Sequence, residues 1–337
     1  MTAVIEVDVL LVGAGPVGLF GAYYAGVRGL RTAVVDSLSQ LGGQVSAMYP
    51  EKEIYDIAAI PRVSGRDLVA GLVEQASPYH PNYLLGEEAQ GLQQLTTPDG
   101  LNRLRVRTSL GTEITCGAVI VTGGIGTFTP RQLPAGEAFL GRGQSYFVPS
   151  VEDYVGRDVV IVGGGDSALD WCLMLREVAA SVTLVHRRDV FRAHAATVER
   201  VRAADVRIIT NAEVVALEGG ASVEKAQVLV KGEDFSRTLP CQRVVAALGF
   251  TANLGPLRGW GLELADNRHI VVDSAMRTSL PGVFAAGDIT EYDGKVRLIA
   301  VGFGEVATAV NNAAVFIDPG AQLFPGHSTD QPQPASA

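Results

Sequence analysis

Near its start the chain carries an apolar run, Val7 to Val12, broken only by Asp8. It opens into Gly13-Ala14-Gly15-Pro16-Val17-Gly18 and then a stretch with apolar residues at helical spacing. That pattern predicts a short buried strand, a tight turn and a helix. A second strand over Thr32 to Val35 ends at Asp36, eighteen residues after Gly18. The same order recurs 150 residues on: strand Val159 to Val162, turn Gly163-Gly164-Gly165-Asp166-Ser167-Ala168, helix, and strand Val182 to Val185 ending at His186. A glycine-rich turn between strand and helix brings backbone N–H groups up to a pyrophosphate. Gly13 permits the turn, Gly15 admits the phosphates and Gly18 lets the helix pack close to the strand. In the second unit Gly163, Gly165, Asp166, Ser167 and Ala168 hold the corresponding places.

The ends of the two second strands differ. Asp36 is a carboxylate placed to accept hydrogen bonds from a ribose diol. Its counterpart, His186, is followed by Arg187 and Arg188, with Arg192 close behind. A carboxylate repels a 2'-phosphate, whereas His186, Arg187, Arg188 and Arg192 would bind it, the guanidinium groups through planar, charge-assisted hydrogen bonds. The second unit is therefore expected to take NADP(H) in preference to NAD(H).

Further apolar runs set the organisation. Gly117 to Thr122 reads as a strand ending at Gly123-Gly124, and Val244 to Leu248 as a matching strand ending at Gly249. Gly282 to Asp288 reads as a buried strand with Asp288 at its carboxyl edge, where open α/β sheets bind ligands. A helix is predicted over Val306 to Phe316, after Gly302-Phe303-Gly304-Glu305. The expected fold is α/β, with two Rossmann-like nucleotide-binding domains, one inserted in the other. Residues 1–121 and 249–325 form the first, 122–248 the inserted one, and 326–337 a C-terminal segment.

Composition narrows the function. Hydrophobic residues make up 47% of the 337 and charged residues 19%, in keeping with two globular cores. A net charge of -9 argues against general nucleic-acid binding, which needs a surplus of Lys and Arg. No basic leader and no run of eighteen apolar residues is evident, so a soluble, cytoplasmic protein without a membrane association is expected. Cys116, Cys172 and Cys241 lie far apart, with neither metal-ligand spacing nor a Cys-x-x-Cys pair. They are expected to be small packing residues, and no metal site is expected.

Beside the two glycine turns stand Leu41-Gly42-Gly43-Gln44, Tyr49-Pro50-Glu51-Lys52, Ile54-Tyr55-Asp56 and Ile60-Pro61. Residues 163–171 read GGGDSALDW, 186–194 HRRDVFRAH and 302–312 GFGEVATAVNN, with Ala285-Ala286-Gly287-Asp288 and His327-Ser328-Thr329 completing the set. Over nearly the whole chain these residues resemble flavoproteins of the thioredoxin-reductase fold, and within them the thioredoxin-reductase-like ferredoxin-NADP reductases. The resemblance implies FAD in the first domain, held by the Gly13, Gly15 and Gly18 turn and by residues matching the group's flavin contacts: Asp36, Gln44, Tyr49, Ala89, Phe128, Asp288 and Ser328. It implies Tyr49 stacked on one face of the flavin and His327, from the partner of a homodimer, covering the other.

One departure bears on chemistry. Thioredoxin reductase carries a Cys-x-x-Cys just before its second glycine turn, where this chain has Tyr146-Phe147-Val148-Pro149-Ser150. Without the dithiol a disulfide cannot be the acceptor. The implied reaction takes a hydride from NADPH to FAD and passes single electrons to ferredoxin or flavodoxin, with no side chain needed as catalytic acid, base or nucleophile. Two other readings stay open: an NADPH-dependent reductase of another acceptor such as a quinone, and a non-catalytic FAD/NADP redox sensor. An acidic ferredoxin would need a local basic patch on this acidic chain, for which Lys52, Arg62 and Arg66 are candidates.

Overall fold

The computed structural model describes residues 4–96 and 102–327. The chain divides into two compact units, one formed by the residues up to Thr127 together with those from Ala252, the other by Phe128–Thr251. Both crossings fall a few residues beyond the 121/122 and 248/249 positions expected from the apolar runs. The outgoing and returning chains are pressed together inside the first unit: Gly126 has φ +81°, and a Cβ there would meet the Asn253 carbonyl oxygen at 2.1 Å. The strands that carry the crossings, Thr127–Pro130 and Phe250–Asn253, form a two-stranded sheet.

In the first unit a five-stranded parallel sheet runs in the spatial order Val283–Ala285, Ala118–Val121, Val9–Val12, Thr32–Asp36, Asn82–Leu85. Val9–Val12 is buried on every residue, as a central parallel strand covered on both faces must be. Helices α1 (Pro16–Val27), α2 (Gly43–Met48) and α3 (Gly65–Ala76) follow it in sequence. A four-stranded sheet, Val4–Glu6, Glu113–Cys116, Asn102–Thr108, Ala89–Thr96, adds to this unit.

The second unit repeats the plan. Its parallel sheet runs Gln144–Ser145, Arg243–Ala247, Asp158–Gly163, Ser181–Val185, Arg207–Ile209, with α4 (Asp166–Leu175) and α5 (Ala195–Ala203). The strand that enters the glycine turn is central in both sheets. A three-stranded antiparallel sheet, Ala212–Gly219, Val223–Val230, Arg237–Pro240, completes the unit.

The last helix, α6 (Ile299–Ile317), begins seven residues before the predicted Val306. Gly302 and Gly304 weaken helix propensity and read as a loop, yet both lie inside the helix. Gly302 is needed there for contact, since a Cβ would fall 2.5 Å from Val17 Cγ2 on α1. Among the described residues α6 is long and apolar enough to cross a membrane by length and composition alone. Val306, Ala309, Val310 and Ala313 are instead built into the core of the first unit, so α6 is a core helix.

Candidate functional site

The two glycine turns are built alike at their closest contacts and alike where they are open. A Cβ on Gly13 would meet the Thr122 carbonyl oxygen at 2.5 Å, and one on Gly163 the Ala247 carbonyl oxygen at 2.4 Å, so each first glycine is pressed on the neighbouring strand's end. Only Gly13 also needs its positive φ of +118°. Gly18 packs against the turn, where a Cβ would lie 1.9 Å from the Gly13 carbonyl oxygen. Gly15 and Gly165 have nothing within 4 Å of a built Cβ. They are the N-caps of α1 and α4, and neither offers a side-chain cap to the N–H groups behind it. Unfilled space in front of uncapped helix N-termini is what a pyrophosphate requires.

Around the first turn the predicted residues converge. Asp36 Oδ2 accepts the Ala14 N–H at 2.6 Å and Oδ1 accepts the Leu38 N–H at 2.8 Å, leaving acceptor positions on each oxygen for a ribose diol. Burial pushes the Asp36 carboxyl above its ordinary pKa while these two N–H bonds pull it back. The Gly42-Gly43 loop crosses the turn: Gly42 N–H donates to the Ala14 carbonyl at 2.8 Å, and a Cβ on Gly43 would come within 2.9 Å of Gly15 Cα. Gln44 follows in α2, its side-chain Nε2 2.7 Å from where a Gly124 Cβ would be. Tyr49 caps the C-terminus of α2 and packs against the cluster of Leu19, Val45, Ile57, Leu68, Val69 and Leu72. Burial raises its pKa, with the charges of Asp288 and Asp56 adding to the effect.

Ala89 is buried at the start of its strand, two residues beyond Glu87, whose N–H donates to the Asp36 carbonyl at 3.0 Å. Asp288, half-buried, follows Gly287 at the end of Val283–Ala285. Burial raises its carboxyl pKa; Lys295 and Arg297 lower it, Glu305 raises it and His269 lowers it. Phe128 lies on the crossing strand Thr127–Pro130 and belongs to the second unit. His327 rests edge-on against Phe324 of its own chain, ring centroids 5.3 Å apart. Ser328 lies outside the described residues.

In the second unit the turn and the basic loop are tied together by three contacts. The Arg192 N–H donates to the Gly164 carbonyl at 2.8 Å, and the His194 N–H to Asp166 Oδ1 at 2.8 Å. The His186 ring covers Gly164 so closely that a Cβ there would lie 2.1 Å from its Cε1. His186 Nε2 donates to the Val190 carbonyl at 3.2 Å. Asp166, in the first turn of α4, thus anchors the loop, a part that the glycine motif alone does not reveal. Ser167 is exposed and Ala168 buried behind it. Arg187, Arg188 and Arg192 are exposed and form no ion pair among the described residues.

Cys116, Cys172 and Cys241 are free and buried, and burial pushes each thiol up to about 12. No group of metal-ligating side chains occurs among the described residues. Arg62 faces Glu53 at 3.8 Å and Arg66 pairs with Glu51, so the basic patch expected there is charge-compensated.

Two features near the site were not anticipated. Thr122 donates from Oγ1 to the Gly13 carbonyl at 2.8 Å, locking the first turn. Glu305, buried in α6, forms a buried ion pair with Lys295. A lone Glu in GFGE and a Lys in a loop gave no periodic signal that they meet.

Comparison with known proteins gives a consistent picture. Residues 7–313 match the family described as pyridine nucleotide-disulphide oxidoreductase. A protein of Salinispora arenicola named ferredoxin--NADP reductase is 63% identical over 96% of this chain and 99% of its own. One of the same name from Nocardioides sp. is 60% identical over 97% and 98%. Among solved structures, the thioredoxin reductase of T. acidophilum superposes with a TM-score of 0.73 at 25% identity, covering 93% of this chain and 98% of that one.

Proposed function

Because the chain belongs to the pyridine nucleotide-disulphide oxidoreductase family, and within it to the ferredoxin--NADP reductases, we propose that it binds FAD in its first unit and NADPH in its second and reduces ferredoxin. The observation that carries this reading is the pair of open glycine turns with opposite charge beside them. Asp36 stands by the first, and Arg187 and Arg188, without an ion pair among the described residues, follow the strand beside the second.

Bound FAD and NADPH supply the hydride and one-electron chemistry; the chain supplies binding and alignment. Gly15 and the N-terminal N–H groups of α1 receive the FAD pyrophosphate, and Asp36 accepts from the adenosine ribose. Gln44 and Asp288 hydrogen-bond further polar groups of the flavin nucleotide, Ala89 gives adenine a close backbone approach, and Tyr49 supports the ring. Gly165 and α4 receive the NADPH pyrophosphate, and Arg187, Arg188 and Arg192 hold the 2'-phosphate. His186, pinned to Val190 and Phe191, sets the floor of that pocket.

The three cysteines are free and buried with raised thiol pKa values, and none falls within residues 146–150 of the sequence, which argues against a disulfide as the acceptor. Flavodoxin is the second acceptor in this reading, and the working form is a cytoplasmic homodimer. The deciding experiment is an acceptor panel with NADPH: ferredoxin, flavodoxin, a quinone and thioredoxin. Ferredoxin is expected to be reduced fastest. Fast quinone reduction with no ferredoxin turnover overturns the acceptor, and a protein that purifies yellow but is not bleached by NADPH overturns the enzyme reading.

A further inference from the structure

Lys295 and Glu305 lie 2.5 Å apart with side chains 1% and 5% exposed. The Glu305 carboxylate takes three donors: the Gly287 N–H on Oε2 at 2.7 Å, and Tyr292 OH at 2.6 Å and Lys295 Nζ at 2.5 Å on Oε1. The ammonium also stands 5.3 Å from the centroid of the Tyr292 ring. A buried ion pair is a poor stabiliser in itself, since its desolvation penalty rivals its attraction and apolar replacements are often neutral. Here one carboxylate oxygen is directed at the backbone of Gly287, the residue before Asp288.

That turn is narrowly held on its other sides. Gly287 has φ +84°, and a Cβ on it would meet Val17 at 3.2 Å. Gly302, in the first turn of α6, would bring a Cβ to 3.3 Å from Gly287 Cα. The turn sits between the first turns of α1 and α6, and Glu305 supplies the acceptor for its N–H.

We propose that Glu305 is a positioning residue: charged and oriented by Lys295 and Tyr292, it fixes the Gly287–Asp288 turn and so the placement of Asp288 toward the flavin nucleotide. This rests on the reading of the first unit as the FAD site. Among the described residues the hydrogen bonds of the Glu305 carboxylate go to the turn and these two partners, and it acts on the ligand through them.

The test compares two charge-free double variants of the full-length protein. Lys295→Met with Glu305→Gln keeps an amide oxygen for the Gly287 N–H and turns the amide NH2 toward Tyr292 OH. Lys295→Met with Glu305→Leu removes the acceptor without stranding a buried charge. Two quantities are read: the Kd for FAD, and hydrogen exchange of the backbone amides of the segment containing Gly287. The glutamine variant is expected to keep both near the parent. The leucine variant is expected to lose amide protection and to raise the Kd roughly tenfold, the scale of one lost hydrogen bond. If the leucine variant does not fold, Glu305→Asp, which keeps the charge on a shorter arm, carries the same expectation. Fast exchange at Gly287 with parental FAD affinity overturns the proposal, as does weakened FAD binding with unchanged protection. A parent that takes up no FAD refutes the flavin assignment instead, and the exchange comparison then still reads whether Glu305 holds the turn.

Discussion

His186 lies nearly parallel to Phe191, ring centroids 5.1 Å apart at 21°, and its imidazole fills the space into which a side chain on Gly164 would project. The two middle positions of the second turn therefore differ sharply. Gly164→Ala forces the stacked ring off its seat, and overpacking of this kind costs about 1–3 kcal/mol. Gly165→Ala meets nothing within 4 Å in the protein itself. We expect Gly164→Ala to lower both the melting temperature and NADP+ affinity. Gly165→Ala should leave the melting temperature unchanged and weaken NADP+ alone, because its methyl group occupies the ligand's space. Calorimetry and titration with NADP+ on the two variants decide it; equal affinity loss with equal destabilisation would remove the pyrophosphate from Gly165.

Arg187 and Arg188 have no carboxylate partner among the described residues, so removing them frees no buried acid and disturbs no network. Replacing both with serine should raise the KM for NADPH steeply and leave that for NADH nearly unchanged. Each charged hydrogen bond to a phosphate contributes about 1.5–3 kcal/mol. Loss of both coenzymes to the same extent would mean that the loop shapes the turn and does not read the 2'-phosphate.

His186 offers a pH signature of the same loop. Burial lowers its pKa from 6.5; the Val190 hydrogen bond raises it, and Arg187, Arg188 and Arg192 lower it further. A histidine with a depressed folded pKa favours the neutral form, so its contribution to stability is fully present above the unfolded value and is lost as pH falls through the folded one. His186 should show an NMR titration midpoint below 6.5 in the nucleotide-free protein. The midpoint should rise in the Arg187→Ser, Arg188→Ser variant. A midpoint that ignores the arginines would place their charges elsewhere.

Residue order carried the repeat of strand, turn and helix, and the spacing that brings Asp36 and His186 to equivalent places, because both follow from local pattern. It placed the exit and return of the chain at Gly123-Gly124 and Gly249, a few residues before the crossings at Thr127/Phe128 and Thr251/Ala252. It did not carry what depends on contact between distant elements. Gly302 and Gly304 obscured the first two turns of α6, since the reason for Gly302 is Val17, nearly three hundred residues earlier. The Lys295–Glu305 pair joins a loop to a helix interior and leaves no periodic trace. Arg62 and Arg66 read as available charges because their partners, Glu53 and Glu51, are ordinary neighbours in a mixed-charge loop. His186 read as a phosphate ligand from its position, which did not reveal that its Nε2 is engaged by Val190 and its ring by Phe191 and Gly164.

The last prediction concerns the segment after α6. Arg28, at the C-terminal end of α1, donates to the Gln322 carbonyl at 2.9 Å and to the Leu323 carbonyl at 3.4 Å, tethering the segment to its own subunit just before His327. Leu323 and Phe324 next to this anchor are more than half exposed. Apolar residues displayed beside a fixed anchor suit a segment that reaches another surface. If His327 covers the partner's flavin, truncation after Pro325 should alter the flavin spectrum and quicken reoxidation of the reduced protein by oxygen. Arg28→Ala should shift both in the same direction by a smaller amount, because it loosens the segment without removing it. A hybrid dimer separates the two possible destinations. One subunit is truncated after Pro325 with Tyr49 intact; the other keeps its tail but carries Tyr49→Ala. If each tail serves its own subunit, neither flavin site is whole. If each serves the partner, the truncated subunit has both its Tyr49 and a borrowed His327, and half of the flavin should be reduced by NADPH at the parental rate in stopped flow. Absence of that fast phase in the hybrid, or full activity in a protein that sediments as a monomer, would reject the cross-subunit cover.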